Sequence, residues 1–159
     1  MPAYTEDQRE SAPRTYWKVV SGSFVNQQDQ SRANTIEGFF QGVHVRDDPG
    51  KPDKKILPSK KIGVRVEDGD NLHVIDFRPN IYFASSFASR LAPLSAGERI
   101  KIMVKPGSNS DKVSFCNIMR LEGDVWKEVP YDKIEAESPK DREDRVLDLI
   151  EQFNLKHTS

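Results

Sequence analysis

The chain has 159 residues, 36% of them hydrophobic and 31% charged, and 24 Lys and Arg against 25 Asp and Glu leave a net charge of −1. That length suits one domain with about thirty residues left for tails, and it is enough to bury a core without covalent staples. The single cysteine, Cys116, excludes an internal disulfide and a cysteine-built zinc cluster, and no apolar run approaches the roughly 20 residues of a bilayer-spanning helix.

Residues 1–14 are polar, contain Pro2 and Pro13, and read as a flexible arm. They lack the charged-then-apolar layout of a secretory signal, so a reducing cytoplasm is the expected compartment. Thr15–Val25 mixes aromatic and β-branched residues and predicts a strand with a bulge at Gly22. A polar loop over Asn26–Asn34 follows, and then "IEGFFQGVHVR" predicts a long strand over Ile36–Arg46 whose two glycines permit bending. A proline-broken connection then carries Lys51, Lys54, Lys55, Lys60 and Lys61.

The clearest local signal is "KIGVRVEDGDNLHVIDF". Ile62, Val64 and Val66 alternate with Lys61, Gly63, Arg65 and Glu67, and Asp68-Gly69 turns the chain into a hairpin. The period then changes. Phe83, Phe87 and Leu91 have helical spacing, with Asn80 as the expected N-cap and Pro93 as the stop. "ERIKIMVKPG" and "KVSFCNIMRLE" are two further strands joined by "PGSNSD", and "GD" starts a turn into "VWKEVP". A last helix starts with Ser138 as N-cap and Pro139 in its first turn, with Val146, Leu149, Ile150 and Phe153 on one face.

With the first strands dropped or merged, this order is five strands with one helix between the third and fourth. It predicts a mainly β chain: a five-stranded OB-fold-like Greek-key barrel over residues 15–122, with an acidic extension over 123–159 holding an amphipathic helix.

Nothing points to catalysis. His44, His73 and His157 have no partner at HExxH or CxxC spacing, and there is no GxSxG, P-loop or GxGxxG. His44 and His73 meeting across a sheet with Asp76 is a weak metal or acid–base arrangement. No enzyme activity, cofactor or metal is expected.

A binding face is better supported. If Val43 and Val45 point inward, then Phe40, Gly42, His44 and Arg46 share the outer face, with Lys61, Gly63 and Arg65 beside them on the next strand. Rings, cations and small residues on one sheet face suit bases stacked flat and phosphates held at the edges. His73 and Phe77 join that face if the returning strand carries a bulge; otherwise Phe77 is core. Trp17 stacks a base or caps the core. The lysine loop, with Lys54, Lys55 and Lys60, and the second loop, with Lys105 and Lys112, occupy the two positions that flank the groove of such barrels.

Charge is segregated in the same sense. Residues 14–121 carry +6, whereas 122–151 hold eleven acids against five bases. An acidic segment folding back over the basic face is the expected regulatory arrangement.

"EGFFQGVHV" before a basic loop, the "VRVEDGDNLHVIDF" hairpin and "YFASSFASRL" as the interposed helix resemble OB-fold single-stranded-DNA-binding proteins of the bacterial and bacteriophage type. The resemblance implies a non-catalytic protein that coats exposed strands in replication or recombination, in the host cytoplasm if phage-encoded. RNA is a close variant of that ligand. The acidic end departs from the family, because it is helical rather than a glycine-rich linker with an acidic tip. The alternative is a structural or adaptor module that binds protein, or itself, through the C-terminal helix.

Overall fold

The computed structural model describes residues 13–107, 113–131 and 133–158. The predicted arm, apart from Pro13 and Arg14, and Lys112 lie outside the described residues. Nine strands are present among those described, rather than the five expected. They are β1 (Arg14–Val20), β2 (Ser23–Asn26), β3 (Arg32–Ala33), β4 (Thr35–Asp48), β5 (Ser59–Asp68), β6 (Asn71–Phe77), β7 (Arg99–Pro106), β8 (Ser114–Glu122) and β9 (Val125–Glu128). Helix α1 spans Tyr82–Ala88 and α2 spans Pro139–Thr158. The strands form one mixed sheet in the order β3-β2-β1-β6-β5-β4-β7-β8-β9.

The extra strands have local causes. Ser21 and Gly22 both take positive φ, 46° and 77°. That makes the predicted Gly22 bulge a two-residue hairpin turn of the I′ kind, pairing Val20 with Ser23. β1 then lies parallel to β6, with Tyr16 beside Val74 and Lys18 beside Asp76. β3 is only two residues long and sits inside the polar stretch, too short to leave a periodic signal.

The sheet curls into a half-barrel. β2 and β7 stand five places apart in the order, roughly 24 Å in a flat sheet, yet they touch. The Gly22 N–H donates to Ser114 Oγ at 2.8 Å, and a Cβ on Gly22 would lie 2.9 Å from Pro106 Cβ. β4 directs the bend: its first residues pair with β7 and its later ones with β5. The β4–β5 register shifts between Phe40 and Gly42, where φ is +116°.

Phe24, Phe40, Ile62, Ile75, Phe83, Phe87, Ile100 and Ile118 fill the interior. α1 closes one end, with Phe83 edge-on to Phe24 and Phe77 at 5.8 and 5.0 Å. Its N-cap is Ile81, without a side-chain hydrogen bond, rather than Asn80. α2 covers the remaining opening with Val146, Ile150 and Phe153, and Phe153 lies 5.9 Å from Phe40. Its predicted cap forms: Asp141 N–H donates to Ser138 Oγ at 3.0 Å, and the Asp141 carboxylate accepts from Glu137 N–H. The acidic helix is therefore a wall of the core, and its apolar face is used within the chain. It does not lie over the basic face.

Candidate functional site

Residues directly opposite in a sheet share a face, so the register across β1, β6, β5 and β4 fixes the outer surface. One row runs Tyr16, Val74, Arg65, Gly42; the next runs Lys18, Asp76, Gly63, His44. Arg46 stands opposite Lys61 toward the lysine loop, and Arg14 is beside Leu72 at the other end of β1. Five cations, Arg14, Lys18, Arg46, Lys61 and Arg65, thus share this surface with three carboxylates, Asp48, Glu67 and Asp76. Tyr16 is 41% exposed there. The four strands are roughly 14 Å across, wide enough for an extended chain.

Gly63 is the floor of this surface. A Cβ on it would lie 2.2 Å from His44 Cε1, so the imidazole rests on the glycine and fills the space expected for an incoming base. Arg46 reaches across β5 and donates through Nη1 to Asp76 Oδ1 at 2.8 Å. Arg14, Lys18 and Arg65 have no carboxylate within ion-pair distance among the described residues. Arg65 Nε and His44 Nδ1 are buried without a hydrogen-bond partner. Burial, then repulsion from Arg65, Arg46 and Arg14, lowers the His44 pKa below its ordinary value, with Asp76 opposing.

Several expected members stand elsewhere. Phe40 is fully buried, because the register shift after it changes the parity of β4: Ile36, Gly38 and Phe40 point inward, and so does Val43. Phe77 is core as well, packed on Phe83 and Phe87. His73 pairs with Val66 on the inner face, where its Nδ1 accepts from Trp17 Nε1 at 3.0 Å. Trp17 is 9% exposed with its donor engaged, so both are structural. His44 and His73 consequently do not meet, and Asp76 serves Arg46.

The lysines divide. Lys54 and Lys55 are exposed beside a short 3-10 turn over Pro52–Lys54, whereas Lys60 pairs with Asp47 and Lys61 lies 3.8 Å from Asp48. Lys105 is exposed near the end of β7. β1 and β6 run parallel and finish at the end of the layer where β4 also ends and β5 begins. Gly22, in the turn after β1, touches Pro106 and Ser114. The curl therefore brings the end of β7 and the start of β8 to the same end as the lysine loop, the former beside β1 and the latter beside β4.

Sequence reasoning missed Arg14, Tyr16 and Lys18. Their alternation with Thr15, Trp17 and Val19 was present, but nothing local revealed that β1 lies beside β6. Among the described residues no helix is long and apolar enough to cross a membrane, and no group of three or more His, Cys, Asp or Glu is placed to hold a metal ion. Comparison with protein-family models, with curated proteins and with solved structures finds no match.

Proposed function

We propose that the protein binds single-stranded DNA without catalysing a reaction, along the outer face of β1, β6, β5 and β4. The observation that carries this reading is the surface itself: Tyr16 and His44 among Arg14, Lys18, Arg46 and Arg65, bordered at one end by the lysine loop and by Lys105 near the end of β7. Stacking on the exposed Tyr16 ring supplies affinity that tolerates any base, and the cations without a carboxylate partner among the described residues take phosphates. The order β6-β5-β4-β7-β8, with α1 between β6 and β7, supports an OB-type barrel in which β1 has been added beside β6. Coating of exposed strands in replication or recombination, in a cytoplasm, goes with this reading.

Anisotropy of a labelled oligothymidylate tests it. Affinity should fall by roughly 0.7 log unit per log unit of salt for each phosphate neutralised, hence about 2 if Arg14, Lys18 and Arg65 each take one. Tyr16→Ala should weaken binding by about 1–3 kcal/mol, a factor of roughly 5 to 150. Absence of salt-sensitive binding at micromolar protein defeats the proposal. A protein-binding reading rests on a different observation, an open cleft of about 470 Å³ lined by Val45, Leu147, Ile150 and Leu155. Under that reading, alanine at Tyr16 and Arg65 leaves a protein complex intact.

A further inference from the structure

His44 is held in an unusual position for a strand histidine. Its ring rests on Gly63, with Arg46 from its own strand and Arg65 from β5 beside it, and Arg14 of β1 adds to the same field. Of the three guanidinium groups, Arg46 alone has a carboxylate partner among the described residues, Asp76. Two buried polar atoms, Arg65 Nε and His44 Nδ1, have no hydrogen-bond partner among the described residues. A surplus of positive potential beside an unpaired guanidinium nitrogen is what a bound anion would relieve.

We propose that Arg46, Arg65 and His44 form one phosphate subsite, and that a phosphate group binds there together with a proton taken up by His44. The inference rests on the single-stranded-DNA reading for the identity of the ligand, though not for the chemistry of the subsite. In the free protein, burial and the three arginines keep the imidazole neutral near pH 7. The charged and titratable groups on its face are Arg14, Tyr16 and Lys18 on β1, Arg46 and Asp48 on β4, Lys61, Arg65 and Glu67 on β5, and Asp76 on β6. Among them Asp76 is the carboxylate that favours the imidazolium, and it already serves Arg46. A phosphodiester supplies the missing negative charge, which offsets the arginines and makes the imidazolium favourable. By linkage, proton uptake strengthens binding as pH falls, up to tenfold per pH unit for one proton.

The test follows the His44 ring by NMR from about pH 5 to pH 8 in the free protein, with inorganic phosphate and with oligothymidylate. Oligothymidylate affinity is measured over the same range. The proposal expects the protonation midpoint of His44 to rise with ligand, and affinity to rise several-fold between pH 7 and pH 6. His44→Gln should lose that pH dependence, and His73→Gln should retain it. If either variant fails to fold, the ring titration of the unaltered protein still decides. Oligothymidylate binding with an unmoved His44 midpoint and no pH dependence overturns the subsite and leaves the DNA reading standing. A midpoint raised by inorganic phosphate with no oligothymidylate binding supports the subsite and overturns the DNA reading. No response to either ligand overturns both.

Discussion

Phe153 closes the half-barrel, and Phe153→Ala measures how much that closure contributes. The ring is 5% exposed, lies 5.9 Å from Phe40, and stacks at 4.1 Å on His157. Truncating a buried phenylalanine costs about 3–5 kcal/mol, set by how far the surroundings collapse or admit water. Beside Phe153 an open cleft of about 230 Å³, lined by Ala88, Leu149, Gln152 and Lys156, already admits solvent, which places the cost at the low end. About 3–4 kcal/mol corresponds to a fall of roughly 6–16 °C in Tm for a domain of this size. Urea unfolding followed by circular dichroism should show a lower midpoint with an unchanged slope. Glu151→Ala, on the exposed side of the same helix, should change stability by less than about 0.5 kcal/mol. Deleting residues 139–159 should abolish cooperative unfolding, because Val146, Ile150 and Phe153 together contribute roughly 5–9 kcal/mol, comparable with the whole stability of a domain. A truncated chain that unfolded cooperatively and bound oligothymidylate more tightly would refute this, and would revive the idea of an acidic tail covering the basic face.

Three further outcomes are expected. A Cβ on Gly38 would stand 2.4 Å from the Glu67 carbonyl oxygen, so Gly38→Ala should cost about 1–3 kcal/mol in the same urea assay, and a neutral result would mean that β4 and β5 are not this close. Burial pushes the Cys116 thiol well above its ordinary range, so a thiol reagent should label it only as fast as the protein unfolds; rapid labelling of native protein would contradict its position. His44 and His73 are both lowered, chiefly by burial, so the unfolded chain takes up protons first as pH falls below about 6.5. Their contribution to stability is fully present above that value and is lost below it. Unfolding free energy measured from pH 8 to pH 5 should decline on the acid side, and a rise there would contradict the burial of both rings.

The elements that were legible are those whose signal is local. The β5–β6 hairpin follows from strict alternation and a glycine turn, in which Gly69 takes φ of 60°. Helix α1 follows from the spacing of Phe83 and Phe87, and α2 from its cap and apolar face. His44, Arg46, Lys61 and Arg65 were found on the outer face because Val43, Ile62 and Val64 correctly marked the inner one. What failed depended on contacts distant in sequence. Trp17 and His73 are 56 residues apart, and only the parallel pairing of β1 with β6 joins them. The same pairing brings Arg14, Tyr16 and Lys18 to the site.

The misplacement of Phe40 exposes the role of the bulge in building this surface. With Ile36, Gly38 and Phe40 facing inward, unbroken alternation along β4 would also direct His44 and Arg46 into the core and Val43 outward. An unpaired buried guanidinium is far more costly than an exposed valine. The opposite phase, with Val43 inward throughout, would instead expose Ile36 and Phe40 and remove the partner of Phe153. One extra residue between Phe40 and Gly42 reconciles the halves: Phe40 and Val43 are both buried, and His44 and Arg46 both face out. Gly42, at φ +116°, is the residue that allows it, since a side chain there would be strained even with open space around it. The core and the candidate binding surface thus depend on the same local departure from period two, the point at which pattern reading along β4 had to fail.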